Sequence, residues 1–365
     1  MDDRIHEHAE TLVDWSARIE SGDDVVLAVD DGAHDLAVAT ARVLGERDAN
    51  LISLYQSGEI SRAYLQGHGG EFDRDPEYQL ELYENADSVL YLGGGRNTAA
   101  TADVPGDRQN AYSRARQAIR EARMDTDWVS TVHPTRSLAQ QAGMSHPAYE
   151  EFVYDAVLRD WEELAEEMDT LKEILDDGSE ARIVGEDTDL TMSIEGRTAV
   201  NSAASVAYDS HNLPSGEVFT APASPEGYVT FDVPMTVRGK RVRDVRLEFE
   251  DGVVVDYNAS MNEAVIGEIL DTDDGAKRLG ELGIGMNRGI DRPTDSILFD
   301  EKMAETIHLA VGRAYDACLP DGEEGNESAV HVDLITNMDD GSRLLVDGEV
   351  IQRDGRFRWE DGFQS

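Results

Sequence analysis

Lysine is scarce in this chain: Lys172, Lys240, Lys277 and Lys302 are the only ones among 365 residues. Arginine supplies the other positive charges, and 32 basic residues stand against 76 acidic ones, for a formal net charge of -44. A surface of that sign repels nucleic acid and anionic membranes, so neither is expected as a partner. Cysteine is scarcer still. With Cys318 alone, an internal disulfide framework and a cysteine-based zinc ribbon are both excluded. No histidine or aspartate pattern flanks Cys318, so it reads as a small buried apolar residue rather than a nucleophile. Long apolar runs are missing as well. No stretch approaches the ~18 to 20 consecutive apolar residues that span a bilayer. The opening residues, MDDRIHEHAE, lack the basic start and apolar centre of a signal peptide. The expectation is a soluble, cytoplasmic protein.

The acids run through the whole sequence, interleaved with patterned apolar segments, and 40% of the residues are hydrophobic. That excludes a disordered acidic chain, which could not build a core. The remaining reading is a folded protein of halophilic type. In molar salt the Debye length shrinks to ~3 Å and screens the self-repulsion. Most individual Asp and Glu residues are then solvated coating, so a functional carboxylate has to be singled out by its setting.

The length favours two domains. In the first part, DVVLAVD (24–30) and the runs at 49–58, 86–95 and 127–135 read as strands alternating with helical patterns. This predicts an N-terminal open, mostly parallel α/β sheet domain. A long amphipathic stretch, residues 146–177, reads as helix and stops at Asp177-Gly178. The domain boundary is placed there, giving domains 1–178 and 179–365. Beyond it, β-rich runs joined by tight Asp-Gly turns predict a C-terminal β-rich α+β domain. Helices are expected over EAVIGEILDTDDGAKRLGELG (263–283) and part of DEKMAETIHLAVGRAY (300–315).

LYLGGGRNTAA (90–100) ends a strand in glycines. No Gly-Lys-Ser/Thr follows, so it is a strand-to-helix turn rather than a phosphate loop. No GxSxG elbow is present. Two histidines are more informative. His308 lies between Ile307 and Leu309, and His331 stands two residues before Asp333 in a valine-rich strand. Strand alternation puts His331 and Asp333 on one face, a platform for a metal ion, although a core histidine with an acid partner gives the same pattern. The chemistry sharpens when four segments are taken in order: GEVFTAP (216–222), KRLGELGIGMN (277–287), FDEKMAETIHLAVGRAY (299–315) and SAVHVDL (328–334). Each sets a metal-capable side chain among apolar residues or glycines, and together they offer the oxygen and imidazole donors that a pair of divalent cations needs.

These segments, with HPTRSLAQQAGMS (133–145), GEDTDLTMSIEGR (185–197) and DGEVIQRDGRF (347–357), resemble the metal-dependent aminopeptidases of the aminopeptidase T and aminopeptidase S type, the thermophilic metalloprotease family. The resemblance implies metal ligands at Glu217, Glu281, His308, His331 and Asp333, with Glu301 as a further acidic ligand. It implies a catalytic role for Tyr315. Two divalent ions (zinc, cobalt or manganese), short peptide substrates and a homodimer follow from the same resemblance. Glu281 and Asp333 are the expected bridging carboxylates. Two other readings remain at this stage: a non-catalytic metal- or peptide-binding protein on the same scaffold, and a hydrolase of another amide.

Overall fold

The computed structural model describes residues 2–72, 76–237, 240–320, 322–339 and 341–363. The chain divides into two compact units, Met1–Arg159 with Ala204–Pro214, and Asp160–Ala203 with Ser215–Ser365.

The first unit is built on a five-stranded sheet in the order Asn50–Gln56, Asp24–Asp30, Ser88–Gly93, Asp127–Val132, Asn212–Leu213. Every neighbouring pair runs parallel. The four expected strands are all present. Val25 to Val29 are buried without alternation, as befits a strand of a parallel sheet covered on both faces. The glycine run ends its strand at Gly93, and Gly94, at φ +138°, donates its N–H to Asp30 Oδ2 at 3.2 Å. The next helix does not begin until Gly106, so these glycines shape a strand end and not an immediate passage into a helix.

The stretch predicted as one long helix is two, His146–Val157 and Trp161–Asp177. Asp160 separates them, because its carboxylate caps the second helix by accepting the Glu163 N–H at 3.1 Å. The second helix ends at Asp177 before Gly178, as expected. It buries Leu164, Ala165, Met168, Leu171 and Leu175, and Asn201 Nδ2 donates to its Ala165 carbonyl at 3.0 Å. The helix therefore lies in the second unit, and the division falls at Arg159–Asp160 instead of after Gly178.

Two antiparallel sheets make up the rest of the second unit, one of nine strands and one of five. Three hairpins of the larger sheet turn on Asp251-Gly252, Asp347-Gly348 and Asp354-Gly355, each with both φ values positive. This is the two-residue turn whose twist matches that of its strands. The smaller sheet runs His331–Asn337, Thr306–Gly312, Leu279–Gly285, Glu217–Thr220, Val200–Ser202. Helix was expected over part of this ground; the structure has Glu263–Leu270, a 3₁₀ turn at Gly275–Lys277 and the single turn Ile297–Asp300. Leu279–Gly285 and Thr306–Gly312 are strands with every residue buried, because each sits between two partners inside the sheet. Cys318 is buried and free.

Candidate metal centre

The five-stranded sheet brings the singled-out side chains together through its register. Glu217 pairs with Gly285, Gly283 with His308, Glu281 with Ala310, Ala310 with Asp333, and Gly312 with His331. Residues two apart on a strand, and partners across strands, share a face. Glu217, Glu281, His308, His331 and Asp333 thus project from one face, with Gly283, Gly285, Ala310 and Gly312 between them. Gly283 leaves room for the His308 ring, whereas Gly285 and Gly312 let the backbone at Lys302–Met303 and at Val330 pass close to the sheet. The strand that carries Glu217 is aimed by the turn before it. Gly216 has φ +110°, which favours glycine, and it donates to the Ser202 carbonyl while accepting from Met286. Asn287 Nδ2 holds the Ser215 carbonyl at 2.8 Å.

Two groups of ligand atoms result, one of Glu217, Glu281 and His308, the other of Glu281, His331 and Asp333. In the inner group His308 Nε2 lies 2.9 Å from Glu281 Oε1 and 3.5 Å from Glu217 Oε2, with all three residues buried. In the outer group His331 Nε2 lies 3.4 Å from both Glu281 Oε2 and Asp333 Oδ1, and His331 and Asp333 are partly open to solvent. Glu281 stands in both groups, with Oε1 toward His308 and Oε2 toward His331.

The donor set fits divalent cations on several observations. His331 Nδ1–H donates to the Arg313 carbonyl at 2.8 Å, which fixes the tautomer and presents Nε2 toward the two carboxylates. Glu217 Oε2 is buried and makes no hydrogen bond. Burial opposes a charged imidazole at both histidines, yet the acids outweigh it. His308 is raised to about 9, by Glu281 and Glu217, and His331 to about 11, by Asp333 and Glu281. Burial would raise Glu281, but its bonds to His308 and His331 hold it down at about 2. Each group thus concentrates negative charge and lone pairs on a point where a positive charge is stabilised.

Three further residues border the centre. Tyr315 is 47% exposed, with its ring centroid 5.0 Å from that of His331 and 5.6 Å from that of Phe219. Burial of its hydroxyl and the charges of Glu281 and Asp333 push its pKa above the usual tyrosine range, so it stays a protonated donor. Glu301 lies outside both groups, and its carboxylate contacts Lys302. Burial, opposed by Lys302, raises Glu301 to about 8. Lys302 was not foreseen as a site residue. Its side chain is fully buried, with Nζ 3.3 Å from Glu217 Oε1. The one signal in the sequence is its setting, a rare lysine after two acids inside an apolar frame.

A family model described as "Thermophilic metalloprotease (M29)" matches residues 1–357. Aminopeptidase T of Thermus aquaticus is 29% identical over 98% of this chain and 98% of its own length. Aminopeptidase PepS of Streptococcus thermophilus is 25% identical over 97% of this chain and 95% of its own. Among solved structures, wild-type AmpT from Thermus thermophilus superposes with a TM-score of 0.84 at 26% identity, covering 98% of this chain and 99% of that one. With the family model running over nearly all of a chain whose second unit gathers these donors, the protein belongs to the thermophilic metalloprotease (M29) family.

Proposed function

We propose that the protein is a metal-dependent aminopeptidase that removes N-terminal residues from short peptides at a centre of two divalent ions sharing Glu281. The observation that carries this reading is the pair of ligand groups with Glu281 common to both. The names of the full-length relatives, aminopeptidase T and PepS, support the activity. Glu217, Glu281 and His308 would hold one ion, and Glu281, His331 and Asp333 the other. Carboxylate and imidazole donors without a thiolate suit zinc, cobalt or manganese. Bound there, the ions would supply Lewis acidity and a water acidic enough to ionise near neutrality.

The chain's own residues do the remaining work. His331 is held in one orientation by the Arg313 carbonyl, so the outer group is preformed on the accessible side. Tyr315, beside His331 and reachable from solvent, donates its hydroxyl proton in a hydrogen bond to the scissile carbonyl oxygen as negative charge develops on it. The partly open Asp333 offers a carboxylate to the substrate's free α-ammonium, which restricts attack to the N-terminal residue. Hydrolysis of aminoacyl substrates and short peptides in molar salt, before and after removal of metal by a chelator, tests the reading. Metal-dependent cleavage of free N-terminal residues is expected. Full activity in the stripped, folded protein would refute it, and efficient cleavage of N-blocked substrates would redirect it to another amide.

A further inference from the structure

Lys302 occupies a position that an ammonium group takes only under strong compensation. Its side chain has no exposed surface, and burying an unpaired charge is among the costliest events in folding. Two acidic side chains face it. Nζ lies 3.3 Å from Glu217 Oε1 and in contact with Glu301 Oε1. The backbone around it is fixed as well. The Lys302 N–H donates to the Phe299 carbonyl at 3.0 Å, and the Lys302 carbonyl accepts from Asn287 at 3.1 Å. Asp300, two residues before, accepts from the Thr294 N–H and hydroxyl at 2.7 and 2.8 Å.

Its contacts divide the two ends of Glu217. Oε1 faces the ammonium, and Oε2 faces His308 and is left without a hydrogen bond. Glu217 can therefore give the inner group one oxygen only. Any divalent ion bound there sits one carboxylate away from a fixed positive charge, a repulsion that a buried, water-poor setting screens weakly. The outer group differs. Among the described residues, the ion pairs of His331 and Asp333 involve neither lysine nor arginine.

We propose that Lys302 is a resident cation that makes the two halves of the centre unequal. The Glu281–His331–Asp333 group takes its divalent ion first and tightly. The Glu217–Glu281–His308 group takes a second ion against the Lys302 ammonium, more weakly and exchangeably. Lys302 acts through Glu217 and Glu301 as a positioning residue. This inference rests on the two-ion reading above.

The test is calorimetry and visible absorbance of the chelator-stripped full chain in molar KCl with added cobalt(II). The wild type is expected to bind in two steps at least ~10-fold apart in affinity. Lys302→Met should leave the tight step unchanged and tighten the weak one at least ~10-fold, whereas Lys302→Arg should keep the two apart. Lys302→Met strips two buried acids of their partner, so Lys302→Gln is the second variant, keeping a donor without the charge; the same tightening is expected. His331→Ala should remove the tight step and Glu217→Gln the weak one. Equal steps in the wild type, a weak step unmoved by both uncharged variants, or the reverse assignment would overturn the inference while leaving a two-ion centre standing. A wild type that binds no cobalt would overturn the two-ion reading itself.

Discussion

Gly283 lies directly across the strand pair from His308, and a β-carbon at Gly283 would come within 2.0 Å of His308 Nε2. The imidazole reaches Glu281 and Glu217 by lying over the bare backbone of its neighbour. Gly283→Ala should push the ring off this position and weaken the inner group's metal affinity at least ~10-fold, an effect of the size seen when the support of a ligand is lost. Cobalt binding by calorimetry measures it. Unchanged affinity would mean that the ring does not need this room.

Tyr315 sits beside the outer group without belonging to either set of ligands. Tyr315→Phe should lower the rate of peptide hydrolysis ~10²- to 10³-fold, the usual cost of losing one donor to a developing oxyanion. Metal content should not change. A variant that keeps its rate would remove Tyr315 from the chemistry, and one that loses its metal would make it structural.

Metal binding should release protons. His308 is raised to about 9 and His331 to about 11, so in the metal-stripped protein at pH 7 both rings hold a proton that a ligating nitrogen must give up. Protons then compete with the metal, and affinity should climb as pH rises from 6 to 9. The stripped protein should behave in the opposite way. A base whose pKa is higher in the folded state stabilises the fold fully below its ordinary value near 6.5, and that contribution fades as pH rises through about 9 and then about 11. Calorimetry at pH 7 in buffers of different ionisation enthalpy counts the protons. A count of zero would contradict the protonation argued for these rings.

A net charge of -44 predicts salt-dependent stability. Raising KCl from 0.1 to 2 M should increase Tm by ~10 °C or more, because screening relieves repulsion spread over the whole surface. A Tm indifferent to salt would show that local ion pairs already balance the acids.

Much of this was legible in the sequence, for identifiable reasons. Runs such as Val25 to Val29 announce a buried parallel strand because nothing in them alternates, and the Asp-Gly pairs at 251, 347 and 354 announce hairpins because few other residues accept two positive φ values. Thr306–Gly312 was open to misreading. Seven buried residues, with only Thr306 and His308 polar, carry no periodicity that separates strand from buried helix, and only pairing with Leu279–Gly285 and His331–Asn337 settles it. The same long-range register explains how Glu281, expected from the resemblance to be shared, comes to face both His308 and His331, which stand on different strands. Asp333, expected as a second bridge, stands on the same strand face as His331 and shares a ligand group with it and Glu281. Lys302 escaped notice because charge next to charge in the sequence normally means solvent. Its burial depends on Glu217, which lies 85 residues earlier in the chain.

The central claim is that one carboxylate, Glu281, serves two metal groups. Elemental analysis of metal per chain, run beside peptide hydrolysis in molar salt, tests it most directly. The wild type and the surface control Glu163→Gln should carry about two ions, Glu217→Gln about one and Glu281→Gln close to none, with hydrolysis lost in the last two. A Glu281→Gln variant that keeps about two ions, or a wild type that hydrolyses peptides at full rate with none, would contradict it.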